Sequence, residues 1–253
     1  TRNGRMNEEL IYGMHPVLEA IAAGKEIDRI FVQQGLRGAA FQELWGAIKE
    51  HSLAFKYVPI EKLNRLTRKN HQGIIAFVSQ VEYQLLEEIV PMVYDRGETP
   101  LLLALDRVTD VRNAGAIARS IECVGGHALI MGEKNAAPMN GDAVKASAGA
   151  LLRLPVCREK SLVRALEQLA QDGLQIVGIT EKAAQTLPEI DFTLPSVLVM
   201  GSEEDGLSPE VMRACHVRAR IPMMGHVASL NVSVAAGMAM YEAQRQRMAQ
   251  GQV

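Results

Sequence analysis

Short apolar runs alternate with amphipathic stretches along the whole chain. Among the first eighty residues, IDRIFVQ (27–33), LAFKYVP (53–59) and GIIAFVS (73–79) are β-rich and read as strands. Helical spacing of apolar positions marks 15–23, 38–51 and 60–67 between and before them. Pro16 sits in a first turn, where no N–H is needed. Three strands and three helices predict a small α/β module. From residue 99 the alternation becomes regular. LLLALD (101–106) is almost wholly apolar, the mark of a strand buried on both faces. HALIM (127–131), LRLPV (152–156), LQIVGIT (174–180), SVLVMG (196–201) and VRARIPM (217–223) follow as strands. Helices are expected at 113–124, at 161–172 with Ser161 as N-cap, at 208–215, and as a long final helix at 229–249. Such alternation predicts a parallel sheet covered on both faces. Ligands of these folds sit beyond the C-terminal strand ends, which points to the loops after Asp106, Met200 and Pro222.

Composition narrows the class. The chain has 253 residues, 48% apolar and 22% charged, ordinary for a soluble globular protein. At roughly 150 residues per domain it suits two domains. These are placed at 10–80 and 99–253, with the Glu-rich stretch 81–98 as an acidic linker. Charge supports the division: residues 1–80 hold 11 basic and 8 acidic side chains, 81–100 hold one and five, and the remainder 15 and 16. No apolar run approaches the roughly 18 residues of a membrane span. The opening TRNGRMNEEL lacks the apolar segment of a signal peptide, so a cytoplasmic protein is expected, with no membrane partner. Cys123, Cys157 and Cys215 have no CxxC spacing, which argues against zinc and disulfides and for three buried thiols. No metal is expected.

The three loops limit the chemistry. Gly201-Ser-Glu-Glu-Asp-Gly206-Leu207-Ser208 has P-loop glycine spacing, but Leu207 replaces the phosphate-binding Lys and three carboxylates fill the loop. That combination disfavours ATP and GTP and suits a ligand with cationic character; an ordinary solvated turn is the alternative. In the loop after Asp106, Asn113 is a plausible N-cap, and Gly115 with Ala116 would let a ligand approach the first turn. Arg119 lies six residues on, about 120° around a helix, and could simply pair with Glu122 on the surface. In the third loop, Ser229-Leu230-Asn231-Val232-Ser233 alternates polar and apolar positions before a small-residue helix, a pattern that N-capping alone would also explain. His226 reads as a loop residue.

Together these loops resemble, in order and spacing, the three motifs of the SPOUT methyltransferases in their SpoU or TrmH branch. The motifs are NxGAxxRS at 113–120, MGSEEDGL at 200–207 and IPMxGxxxSLNVSVA at 221–235. IYGMHPVLEAI (11–21) and HQGI (71–74) are similar to the substrate-binding module of that branch's ribosomal-RNA guanosine ribose methyltransferases. The resemblance implies methyl transfer from S-adenosylmethionine to a ribose 2′-hydroxyl. It also implies a ribosomal-protein-like N-terminal domain, a deep trefoil knot in the C-terminal domain, and a homodimer. It assigns Thr180, Met200, Gly201, Ile221, Met223, Ser229 and Leu230 to the cofactor, and Asn113, Arg119, Glu203, Ser229 and Asn231 to the active site. Glu204 and Asp205 stand where the family often has Gly.

Lys62, Arg65, Arg68, Lys69 and His71 form a basic run suited to RNA phosphates, or equally to a solvated face. Aromatic residues at 4% offer little sign of a stacking platform for single strands. Large-subunit ribosomal RNA is the expected substrate. Transfer RNA, or a non-catalytic role in RNA binding or ribosome assembly, are the alternatives.

Overall fold

The computed structural model describes residues 10–227 and 229–252. Residues 1–9, Ala228 of the third motif and Val253 lie outside that range. The chain divides into two compact units, 10–82 with 138–142, and 83–137 with 143–252.

In the first unit the elements run β1 (Leu10–Tyr12), α1 (Met14–Ala22), β2 (Ile27–Gln33), α2 (Ala39–Glu50), β3 (Phe55–Val58), α3 (Ile60–Leu66) and β4 (Ile74–Val78). They form a four-stranded mixed sheet, order β1-β4-β2-β3, in which only β2 and β3 are parallel. The pleat sends alternate side chains to opposite faces. Ile30, Val32, Ile74 and Ala76 pack with Val17, Ile21, Leu44 and Ile48 of α1 and α2. Phe31, Ile75 and Phe77 pack on the other face with Val58 and Leu63. β1 escapes the sequence pattern because three residues are too few to show alternation. Pro138–Asp142 counts with this unit, where Gln80 N donates to Met139 O at 3.1 Å.

The second unit begins with α4 (Leu86–Asp95) and continues through β5 (Leu101–Leu105), α5 (Val111–Cys123), β6 (Ala128–Gly132), α6 (Gly141–Ala146) and β7 (Val156–Glu159). Then come α7 (Leu162–Gln171), β8 (Gln175–Ile179), β9 (Gln185–Thr186), β10 (Ser196–Met200), α8 (Pro209–Ala214), β11 (Val217–Arg220) and α9 (Val232–Ala249). Seven strands lie in the order β7-β6-β5-β10-β8-β11-β9, every pair parallel. One face is covered by α4, α7 and α8, whose Ile89, Val93, Leu166 and Val211 pack on Leu102, Ile130, Ile176 and Val199. On the other face α5 and α9 pack together and against the sheet.

Three expectations need correction here. The stretch 81–98 is not a free linker: α4 buries Ile89, Val90 and Val93 in the core of the second unit. The strand expected at 152–156 begins at Val156, because Ala150–Leu152 winds as a 3₁₀ turn that leaves Leu152 exposed and Pro155 delays the ladder. Finally, only Cys157 and Cys215 are buried thiols; Cys123 is exposed. No helix among the described residues is long and apolar enough to cross a membrane.

Candidate active site

β5 and β10 are neighbours, and the strand order changes direction between them. Loops leaving the C-terminal ends of two such strands diverge and leave a crevice. Asp106, directly after β5, is almost fully buried and holds the opposite loop: its Oδ2 accepts from Ser208 N at 2.6 Å. Arg107 follows with φ 58°, a left-handed conformation unusual for a residue with a side chain. Its guanidinium donates to Gly206 O at 2.8 Å and to Asp205 Oδ2 at 3.3 Å, and its Nε donates to Asp106 at 3.3 Å. The C-terminal half of the acidic loop is thereby fastened. Within it, Ser202 and Gly206 exchange backbone bonds of 3.1 and 3.0 Å. A Cβ on Gly201 would stand 2.1 Å from the Gly206 carbonyl carbon, so only glycine fits.

α5 starts two residues earlier than expected, and Asp110 is its N-cap, accepting from Arg112 N and Asn113 N at 2.9 Å. This corrects the reading of Asn113 as the cap and frees its amide. Asn113 Nδ2 donates to Glu203 Oε1 at 2.8 Å, and Asn231 Nδ2 donates to the same oxygen at 2.7 Å. Asn231 Nδ2 also reaches Asn113 Oδ1 at 3.1 Å. Meanwhile Asn231 Oδ1 caps α9, accepting from Ser233 N at 2.9 Å and Val234 N at 3.3 Å. One residue from each of three loops therefore meets in a single hydrogen-bonded trio. Among the described residues Glu203 Oε2 has no partner and remains an open acceptor.

Gly115 does not serve a ligand. It is buried against α6, where a Cβ would lie 2.5 Å from Ala146 Cβ. Arg119 is exposed, and among the described residues no ion pair joins it to Glu122. It stands about 9 Å further along the helix axis than Asn113 and is not joined to the trio. Ser229 is exposed and Leu230 half-buried in the irregular segment before Asn231.

The other expected residues gather at the ends of three adjacent strands, β10, β8 and β11. Gly201 follows β10, Thr180 follows β8, and Ile221 and Met223 follow β11. Thr180 is buried, its N donating to Ala219 O at 2.9 Å. Met200 differs: its side chain belongs to the core, and only its carbonyl faces the loops, accepting from Asp106 N at 2.8 Å. Beyond Met223, Met224 is 99% exposed. These groups suit S-adenosylmethionine: bare backbone at Gly201, apolar Ile221, Met223 and Leu230, and carboxylates rather than lysines toward a sulfonium and an ammonium. Among the described residues no group of three His, Cys, Asp or Glu is placed to hold a metal.

In the first unit, Lys62, Arg65, Arg68 and Lys69 are exposed on and after α3, while Leu63 anchors that helix to the sheet. Lys62 Nζ lies 4.8 Å over Phe31, and Lys69 Nζ lies 5.4 Å over Tyr12, whose hydroxyl holds the ammonium above its ordinary range. His71 leaves the basic set. It is buried, its Nδ1 accepts from Gly73 N at 3.0 Å, and its Nε2–H therefore donates to Asn64 Oδ1 at 2.8 Å. That ring fixes the turn before β4.

Sequence reasoning missed Asp106, Arg107 and Asp110. A lone Asp closing a five-residue apolar strand was a usable signal for the first. Nothing in the sequence announces that Arg107 bends left-handed to reach a loop a hundred residues away.

Comparison with known proteins identifies the family and the fold. The model of the SpoU rRNA Methylase family matches residues 100–241, and that for RNA 2′-O ribose methyltransferase substrate binding matches 10–84. A protein of Bacillus subtilis named as a TrmH-family tRNA/rRNA methyltransferase is 31% identical over 94% of this chain and 96% of its own length. The SpoU methyltransferase AviRb of Streptomyces viridochromogenes, crystallised with S-adenosylmethionine, is 28% identical, with TM-score 0.61 over 98% of this chain and 95% of its own. An S-adenosylmethionine-bound rRNA methyltransferase from Sinorhizobium meliloti is 26% identical, with TM-score 0.60 over 93% and 86%.

Proposed function

Since the chain belongs to the SpoU rRNA methylase family, and is thereby an S-adenosylmethionine-dependent RNA 2′-O-ribose methyltransferase, we propose that its acceptor is a guanosine ribose of large-subunit ribosomal RNA. The observation that carries the reading of the site is the convergence of Asn113, Glu203 and Asn231 at the C-terminal strand ends. The bound cofactor supplies an electrophilic methyl group on a sulfonium. The chain's task is to hold the ribose oxygen in line behind that methyl and to lower the cost of removing the hydroxyl proton. The trio fixes the floor of the site, and Glu203 Oε2 is positioned to accept from a ribose hydroxyl. Arg119 stabilises the developing alkoxide and holds phosphate. A guanidinium is a hydrogen-bond donor and a poor base, so Arg119 serves as a donor. Thr180, Gly201, Ile221, Met223, Ser229 and Leu230 hold the cofactor.

The finer architecture follows the same reading. A trefoil knot is supported by a strand order in which β10 enters between β5 and β8, and β11 between β8 and β9. A homodimer is supported by α9. Its buried side packs on the sheet, while Val234, Met238, Tyr241 and Met248 leave a second apolar stripe exposed. Arg119 then receives the rest of its surroundings from the partner protomer. A cytoplasmic location fits an enzyme acting on ribosomal RNA.

Transfer RNA is the second reading, because the Bacillus relative is named for both RNAs. Mapping 2′-O-methyl groups in RNA from a deletion strain decides between them. Loss of one methyl from large-subunit RNA supports the proposal; loss from transfer RNA replaces it.

A further inference from the structure

Two exposed aromatic side chains meet Trp45, which is half-buried against the core, at one edge of the first unit's sheet. β3 is an edge strand, paired among the described residues with β2 alone. Phe55 and Tyr57, two residues apart on it and so on the same face, remain 42% and 44% exposed. Trp45 of α2 completes the group. Its ring lies 4.7 Å from Phe55 at 81° and 6.2 Å from Tyr57 at 35°, and Phe55 lies 5.7 Å from Tyr57 at 82°. Two of these pairs meet edge to face, a favourable arrangement, and none is a face-to-face stack. Phe31 and Phe77 of the same unit, by contrast, are almost wholly buried. The patch also carries positive charge: Lys49 Nζ stands 5.2 Å over Trp45.

An exposed apolar patch needs an occupant. A purely apolar partner would leave Lys49 unanswered, whereas unpaired nucleic acid brings flat bases and phosphates together. Base-on-aromatic stacking beside a cationic path is how single strands are held. We propose that Trp45, Phe55 and Tyr57 form a stacking platform for unpaired bases of the RNA substrate. The proposal rests on the chain being an RNA methyltransferase and adds the feature of the RNA that it grips: a loop or bulge. It reverses the expectation drawn from the low aromatic content, since the few rings present are concentrated in one place.

Trp45 is the only tryptophan of the chain, so its emission reports the platform directly. The full-length protein is titrated with a short unpaired RNA, an abasic RNA of equal length and charge, and an RNA duplex. Unpaired RNA quenches Trp45; abasic and duplex RNA leave its emission unchanged. Phe55→Ser and Tyr57→Ser each weaken binding of the unpaired RNA about tenfold or more, with abasic-RNA and S-adenosylmethionine affinities intact. Phe55→Tyr and Tyr57→Phe, which keep the rings, retain the wild-type affinity. Raising salt removes the abasic-RNA binding faster than the stacking-dependent part. Equal quenching by abasic RNA, or unaltered affinity of the Ser variants, overturns the platform. So does sedimentation showing a self-association that those variants abolish, which would assign the patch to a second copy. A chain that methylates RNA while Trp45 ignores unpaired bases refutes the platform alone. Absence of any methyl transfer refutes the premise and the platform together.

Discussion

Arg107 occupies a backbone conformation that costs a residue with a side chain about 1–2 kcal/mol, and it sits where the acidic loop must be held. Arg107→Gly removes that strain together with the clamp. The expected result is an unchanged or raised thermal midpoint with a single-turnover methylation rate about tenfold lower. Asp205→Asn should act through the same contact, so the double variant should lose little beyond either single one. Independent, additive losses would show that the two residues act separately. The pair also answers the charge of Asp205 from across the crevice. Arg119→Ala should leave fold and cofactor affinity intact and slow methylation on the order of 100-fold, as loss of an oxyanion donor does. Arg119→Lys should recover only part, because an ammonium cannot reproduce the guanidinium fork. A normal rate at saturating RNA would remove Arg119 from the chemistry. The cysteines separate in the same way. Burial pushes the Cys157 and Cys215 thiols up to about 12, so near pH 8 both are protonated as well as shielded. A thiol reagent should therefore label Cys123 and leave the other two until the protein unfolds. Rapid labelling of Cys157 or Cys215 in the native state would contradict that burial.

The secondary structure was legible wherever an element carries its own signal. Five-residue runs such as Leu101–Leu105 are buried from end to end, and Ser161 caps α7 as its position implied. Two-residue β9 and three-residue β1 carry no periodicity and were missed. The three loops could be recognised because each is contiguous in sequence. Their meeting in one trio could not be, because a hydrogen bond between Asn113 and Glu203 depends on how β5 and β10 pair. α9 shows the same limit at its far end. Arg247 is buried without a carboxylate, and desolvation holds it down to about 10. It donates instead to the carbonyls of Phe192, Thr99, Pro100 and Leu194. One helix thus joins the active-site end of the sheet, through Asn231, to its opposite end, through Arg247. Arg247→Met should leave the Phe192 and Thr99 carbonyls without their donor, while Ser196 still serves Pro100 O and Leu194 O. It should cost about 3 kcal/mol, since each lost partner costs about 1–3 kcal/mol. Denaturant unfolding that registers less than about 1 kcal/mol would mean that water replaces the guanidinium.

The two units differ in what they can do alone. A fragment beginning at residue 83 keeps α4 and should bind S-adenosylmethionine. One beginning at 99 exposes the surface that Ile89, Val90 and Val93 cover and should be markedly less stable, at about 1.5–3 kcal/mol per buried side chain. Equal stability by calorimetry would return 81–98 to the status of a linker. The central sheet has a further consequence for a chain emerging from the ribosome. Leu101 pairs with Ser196, and β10, made almost last, is the strand that fills the gap between β5 and β8. Until it arrives, both strands present open edges, the kind of surface that recruits other chains. Synthesis therefore carries a long interval in which most of the domain exists but its middle is missing. Nascent chains stalled at residue 195 should remain open to protease and should depend on holding chaperones, and release of about fifty more residues should close the sheet in one late step.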